Sequence, residues 1–92
     1  GLSDLTVNSV AGSSTGKTKV TITEAKTAGT HYVYKTASSI TMPSAYDNVS
    51  DWDKWDGTSD ITATTGNKIA IVEANRYGKA IHGGIATVTS AT

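Results

Sequence analysis

A chain of 92 residues supports one compact core at most, and with 37% hydrophobic and 17% charged residues it is too apolar for a disordered tail. Eight Lys and Arg balance eight Asp and Glu, so no net field recruits nucleic acid or an anionic membrane, and neither is expected as a partner. The absence of Cys excludes a disulfide framework, a thiolate metal site and a cysteine nucleophile.

No run of eighteen apolar residues marks a membrane span, and Gly1-Leu2-Ser3-Asp4 lacks the charged and apolar regions of a signal peptide. The bare Gly1 and the closing Thr89-Ser90-Ala91-Thr92 read as boundaries within a longer parent protein. Nine Gly, one Pro and many Thr and Val suit short twisted strands joined by tight turns and disfavour a helical fold.

The first predicted strand is Asp4 to Val10, where Leu5 and Val7 point opposite to Thr6 and Asn8. Residues 11 to 16 hold nothing to bury and two glycines, and form a connection. Lys17 to Glu24 follows with Val20 and Ile22 alternating against Lys19, Thr21 and Thr23, one face wet and one dry. After the turn Thr27-Ala28-Gly29-Thr30, His31 to Thr36 places Tyr32 and Tyr34 on one face and His31, Val33 and Lys35 on the other, with either face able to point inward.

From Ala37 to Asp60 the period weakens and the segment reads as loop and short strands, with Met42-Pro43 restricting the backbone. Ser59 to Thr64 resumes alternation, and Thr65-Gly66-Asn67 turns the chain. Lys68 to Ala74 carries Ile69, Ile71 and Val72, an apolar stretch suited to a central strand covered on one or both faces. Asn75-Arg76-Tyr77-Gly78 is a hairpin loop returning through Lys79 to His82. Gly83-Gly84 is expected to break or bulge that path, after which Ile85 to Thr89 forms a final strand. The sum is an all-β, immunoglobulin-like β-sandwich of about seven antiparallel strands, a single domain over residues 1–92.

Chemistry concentrates in Tyr46 to Asp60, which holds both Trp and five of the eight acidic residues. Asp51, Asp53, Asp56 and Gly57 loosely resemble a calcium loop, but the spacing of an EF-hand fails and no metal is expected. Tyr46, Trp52 and Trp55 are candidate stacking residues for cell-surface carbohydrate, with neighbouring Asp and Asn to accept hydroxyl bonds. Against this stands the weightier structural reading, in which one Trp fills the core and the Asp residues cap turns, because a chain without Phe must find bulk elsewhere.

His31 and His82 lie near no nucleophile pattern, and the two alone make no metal site. The run Gly12 to Thr18 falls short of a phosphate loop by one residue and leads into a strand. Asn48-Val49-Ser50 fits a glycosylation acceptor by coincidence. No catalytic residue, no cofactor and no enzymatic activity is expected.

The segments Trp55-Asp56-Gly57-Thr58-Ser59-Asp60-Ile61, Thr65-Gly66-Asn67-Lys68-Ile69-Ala70-Ile71-Val72-Glu73 and Gly78-Lys79-Ala80, with Asp4-Leu5-Thr6-Val7 and Lys17 to Thr23, carry a resemblance across most of the chain. They resemble immunoglobulin-like accessory domains of bacteriophage structural proteins, capsid or tail, and of bacterial surface proteins. The resemblance implies a non-catalytic module on a virion surface or an extracellular surface, held by its parent phage or surface protein, for display, stabilisation or weak adhesion. The alternative is a carbohydrate-binding or adhesion module of a bacterial surface protein.

Overall fold

A computed structural model describes residues 1–92 as seven strands and no helix: β1 (Val7–Ala11), β2 (Lys17–Ile22), β3 (His31–Ala37), β4 (Asp53–Trp55), β5 (Ile61–Thr62), β6 (Lys68–Ala74) and β7 (Ala80–Thr87). They form two antiparallel sheets, β1-β2-β5 and β4-β3-β6-β7. The return of β5 beside β2 and of β6 beside β3 is the Greek-key path of an immunoglobulin-like sandwich, with β4 joined to the β3 sheet.

Alternation decides the interior. Val20 of β2, Tyr32 of β3, Trp55 of β4, Ile61 of β5, and Ile69 and Ile71 of β6 meet between the sheets with Val88, forming the main core. The other face of the larger sheet is also covered. Val33, Val72, Ala74 and Ala80 pack there against Val49, with Leu2, Met42 and Trp52 at the margin. The choice left open between the Tyr32 and Val33 faces is therefore resolved as both, since each of these residues is buried. It also accounts for the unbroken apolar run of β6, which has packed neighbours above and below.

The cover is the aperiodic segment that follows β3. It crosses the outer face of the sheet, and Tyr46 N–H donates to Ala80 O, Val49 N–H to Gly78 O and Ala80 N–H to Asp47 O, binding it to the edge at the start of β7. Tyr46 adopts φ 67° at this junction. The chain then returns to the opposite edge as β4, the one strand formed within residues 37 to 60. Strand order thus puts one loop over two edges and a face, which no local period could announce.

Three strand expectations are corrected. The strands expected over Lys79–His82 and Ile85–Thr89 merge into one, β7 (Ala80–Thr87), which runs straight through Gly83-Gly84. The irregularity lies earlier, where Ala74 pairs Ala80 but Glu73 pairs His82, leaving Ile81 as the extra, bulged residue. The glycines serve another purpose: a Cβ on Gly84 would meet Leu5 O at 2.2 Å, and one on Gly83 would meet Met42 Cε at 3.0 Å. Bare backbone admits the N-terminal segment, whose Leu5 N–H donates to Gly83 O at 2.9 Å. Residues 4 to 6 accordingly leave the expected first strand to cover the free edge of β7, and β1 begins at Val7. The strand expected over Ser59 to Thr64 shrinks to Ile61–Thr62, paired to Thr18 and Lys17 of β2, while Ser59 N–H is taken by the Asp56 turn.

The hairpin at residues 75 to 78 forms as expected. Gly78 N–H donates to Asn75 O, Asn75 N–H donates to Lys79 O, and the Asn75 side-chain oxygen accepts from Tyr77 N–H and Lys79 N–H. Gly78 supplies φ 75°.

Candidate functional site

The three aromatic residues singled out as a stacking set are dispersed. Trp55 is 7% exposed, directly opposite Tyr32 in the β3–β4 ladder, and its indole Nε1 donates to Ser59 O at 2.8 Å. Its rings belong to the main core. Tyr46 is 70% exposed and stands on the crossing segment beside β7. Trp52 is half-buried on the outer face of the sheet, with Lys35 Nζ 4.8 Å from its ring centre. The spacing of three that bars Trp52 and Trp55 from one face of a strand places them on opposite faces of the larger sheet.

The carboxylates of the same segment are engaged in turns. Asp56 Oδ1 accepts from Thr58 N–H and Ser59 N–H, and Oδ2 accepts from the Ser59 hydroxyl. These bonds, the Ser59 hydroxyl foremost, hold the Asp56 carboxyl at a pKa of about 2. Asp60 Oδ2 accepts from Ser13 N–H and its hydroxyl, fastening the turn between β1 and β2, and these bonds lower its pKa. Asp47 Oδ2 accepts from Ser44 N–H. No three His, Asp or Glu side chains converge as metal ligands, and the calcium-like run of Asp51, Asp53 and Asp56 is not gathered around a point.

Two grooves flank the short strand β4, and His31 and Lys54 line both. The groove toward the second sheet, about 540 Å³, runs past Tyr34 and the edges of Tyr32 and Trp55 to Asp56 and Asp60. The groove on the outer face, about 330 Å³, lies between Trp52 and Tyr77, with Arg76, Lys54 and His31 around it. Tyr77 is 68% exposed at the tip of the hairpin. The Arg76 guanidinium lies 5.0 Å from its ring centre and donates to its hydroxyl at 2.8 Å. In the sequence residues 75 to 78 read only as a turn; the signal they carry is an aromatic residue beside Arg at a hairpin tip, where nothing can bury it.

A third cavity, about 160 Å³, gathers Asp4, Glu24, Glu73 and His82 where the N-terminal segment crosses β7. His82 Nδ1 pairs with Asp4 Oδ2, and Gly83 N–H donates to Asp4 Oδ1 at 2.9 Å. Glu73 is 1% exposed; its Oε2 accepts from Thr27 N–H and the Thr30 hydroxyl, while Oε1 has no partner.

The sequence model of the S-layer protein SbsC C-terminal domain matches residues 10–89. The chain belongs to that family. It also superposes on the crystal structure of the S-layer protein SbsC, domains 7, 8 and 9, with a TM-score of 0.71 and 24% identity, over 95% of this chain and 27% of that one. The likeness in structure establishes the β-sandwich, and the chain spans about a quarter of the matched chain. No curated protein matches the chain significantly. The bacterial surface-protein half of the sequence resemblance is the half these matches support, and neither match is a bacteriophage protein.

Proposed function

We propose that this chain is a non-catalytic structural module of a bacterial cell-surface layer protein, one β-sandwich among several, exposed outside the cell. The observation that carries this reading is the family match over residues 10–89. Supporting it, the matched structure comprises three domains, of which this chain corresponds to a share of 27%. The carboxylates of the acidic segment that make hydrogen bonds spend them on turns, which suits a scaffold.

The reading replaces a virion location with a cell-envelope one and leaves display and stabilisation of the layer as the module's work. Immunogold labelling with an antibody raised against the chain tests it. Gold is expected on the outer surface of intact cells of the source organism, in register with an ordered layer. Gold confined to the cytoplasm, or on phage particles, overturns it.

A further inference from the structure

The outer groove beside β4 combines features that the structural role does not use. Its walls are Trp52 and Tyr77, its polar side chains are His31, Ser50, Lys54 and Arg76, and no carboxylate lines it. The chain as a whole is neutral, with an ion pair only between His82 and Asp4, so Lys54 and Arg76 stand without acidic partners. Five acidic residues lie between positions 47 and 60; Asp47, Asp56 and Asp60 cap turns, Asp51 and Asp53 flank Trp52 in the chain, and none of the five lines this groove. The charged side chains of this lining, Lys54 and Arg76, are thus both positive and stand beside the exposed ring of Tyr77.

We infer that this groove binds a carboxylate-bearing oligosaccharide, with a sugar ring stacked on Tyr77 and its acid group paired to Arg76 and Lys54. Tyr77 offers an exposed ring, and Arg76 is already oriented along it by a bond that uses one of five guanidinium donors. The other donors, in a planar fork, match a carboxylate. Trp52 is braced by Lys35 on one side and by the packed outer face on the other, so it forms a fixed wall. The volume, about 330 Å³, is that of a small-ligand site. The hairpin and β4 that carry these groups are both fixed to the sheet: Gly78 packs against Ser50, and β4 is paired through Trp55 to β3. The inference concerns this chain's own residues and stands or falls separately from membership of a layer.

The test titrates the chain with tetragalacturonate and, in parallel, with its fully methyl-esterified form, which keeps the rings and removes the charge. Amide and indole resonances are followed by NMR. Saturable shifts are expected at Trp52 Nε1, Tyr77 and Arg76 with the acid form, weakening as salt rises. Tyr77→Ala and Arg76→Gln, both at exposed positions of the hairpin, are each expected to weaken binding about tenfold with the spectrum otherwise unchanged. Equal binding of the ester, shifts scattered over all surface lysines, or no shift at millimolar saccharide overturns the assignment. So does movement of the same resonances on raising protein concentration alone, which gives the groove to a second copy of the chain.

Discussion

Tyr32 and Trp55 face each other across the β3–β4 ladder with ring centres 5.4 Å apart and planes tilted by 44°. The tilted contact is one that aromatic quadrupoles favour. Here it anchors a strand of three residues that pairs with a neighbour on one side only. Trp55→Ala is expected to cost about 3–5 kcal/mol, the range for removing a buried large aromatic side chain. Trp52→Ala removes a half-buried ring and is expected to cost about 1–2 kcal/mol. Urea unfolding of the two variants checks the order, and a loss at Trp52 equal to that at Trp55 would refute it. In Trp52→Phe the remaining indole is expected to emit in the blue and resist acrylamide.

The paired glycines of β7 give a second, graded prediction. At Gly84 a methyl group meets the Leu5 carbonyl, which is backbone held by its own bonds, whereas at Gly83 it meets the flexible end of Met42. Gly84→Ala is expected to lose about 3 kcal/mol and Gly83→Ala about 1 kcal/mol, the upper and lower ends of overpacking costs. Thermal unfolding with amide exchange at Leu5 reports both, and faster Leu5 exchange is expected for Gly84→Ala alone.

The contact between Asp4 and His82 sets a pH window. Bonding to Asp4 raises the His82 pKa above its ordinary 6.5, with the Asp4 and Glu73 charges adding to the rise against desolvation. Desolvation pushes the Asp4 carboxyl up, but the Gly83 amide and the His82 ring outweigh it and hold its pKa below 3.8. The groups around the pair are Glu73, opposite His82 in the ladder, and Glu24 across the cavity.

The raised His82 pKa contributes stability that is full below 6.5 and fades as pH climbs through the folded value. The lowered Asp4 pKa contributes stability present above 3.8 and lost as pH falls through its folded value. The latch is therefore strongest between these two reference values. With side chains 40% and 49% exposed, solvent screening limits it to about 0.5 kcal/mol. Titration of His82 by NMR is expected to give a pKa above 6.5 that falls in Asp4→Asn.

Glu73 supplies a prediction of opposite sign. Its buried Oε1 lacks a donor, and the residue shares the lining of one cavity with Asp4 and Glu24. Glu73→Gln keeps an oxygen for Thr27 and Thr30 and removes a buried carboxylate from a cavity that Asp4 and Glu24 also line, so the variant is expected to gain about 0.5–1 kcal/mol. Glu73→Leu strands the Thr27 amide and is expected to lose about 1–3 kcal/mol. Melting curves decide, and a Gln variant weaker than the parent refutes the account.

The amino-acid sequence alone determined the strands whose alternation faces one core, because period two is imposed by the backbone: Val20 and Ile22 in β2, Ile69 and Ile71 in β6, and the hairpin closed by Asn75 and Gly78. From these the sandwich followed. Tertiary structure alone decided what lies over the second face of β3 and β6. The crossing segment is held by bonds to the start of β7, some thirty residues away, and carries no period of its own. The spacing of three already parts Trp52 from Trp55 across the sheet, but tertiary structure alone buried Trp55 in the main core and brought Trp52 beside Tyr77. For the same reason Gly83-Gly84 read as an interruption, when the need for glycine came from Leu5, Leu2 and Met42, residues remote in the chain that pass within touching distance of β7. Local periodicity records which side of a strand is dry; which distant segment makes it dry is fixed only when the whole chain has found its packing.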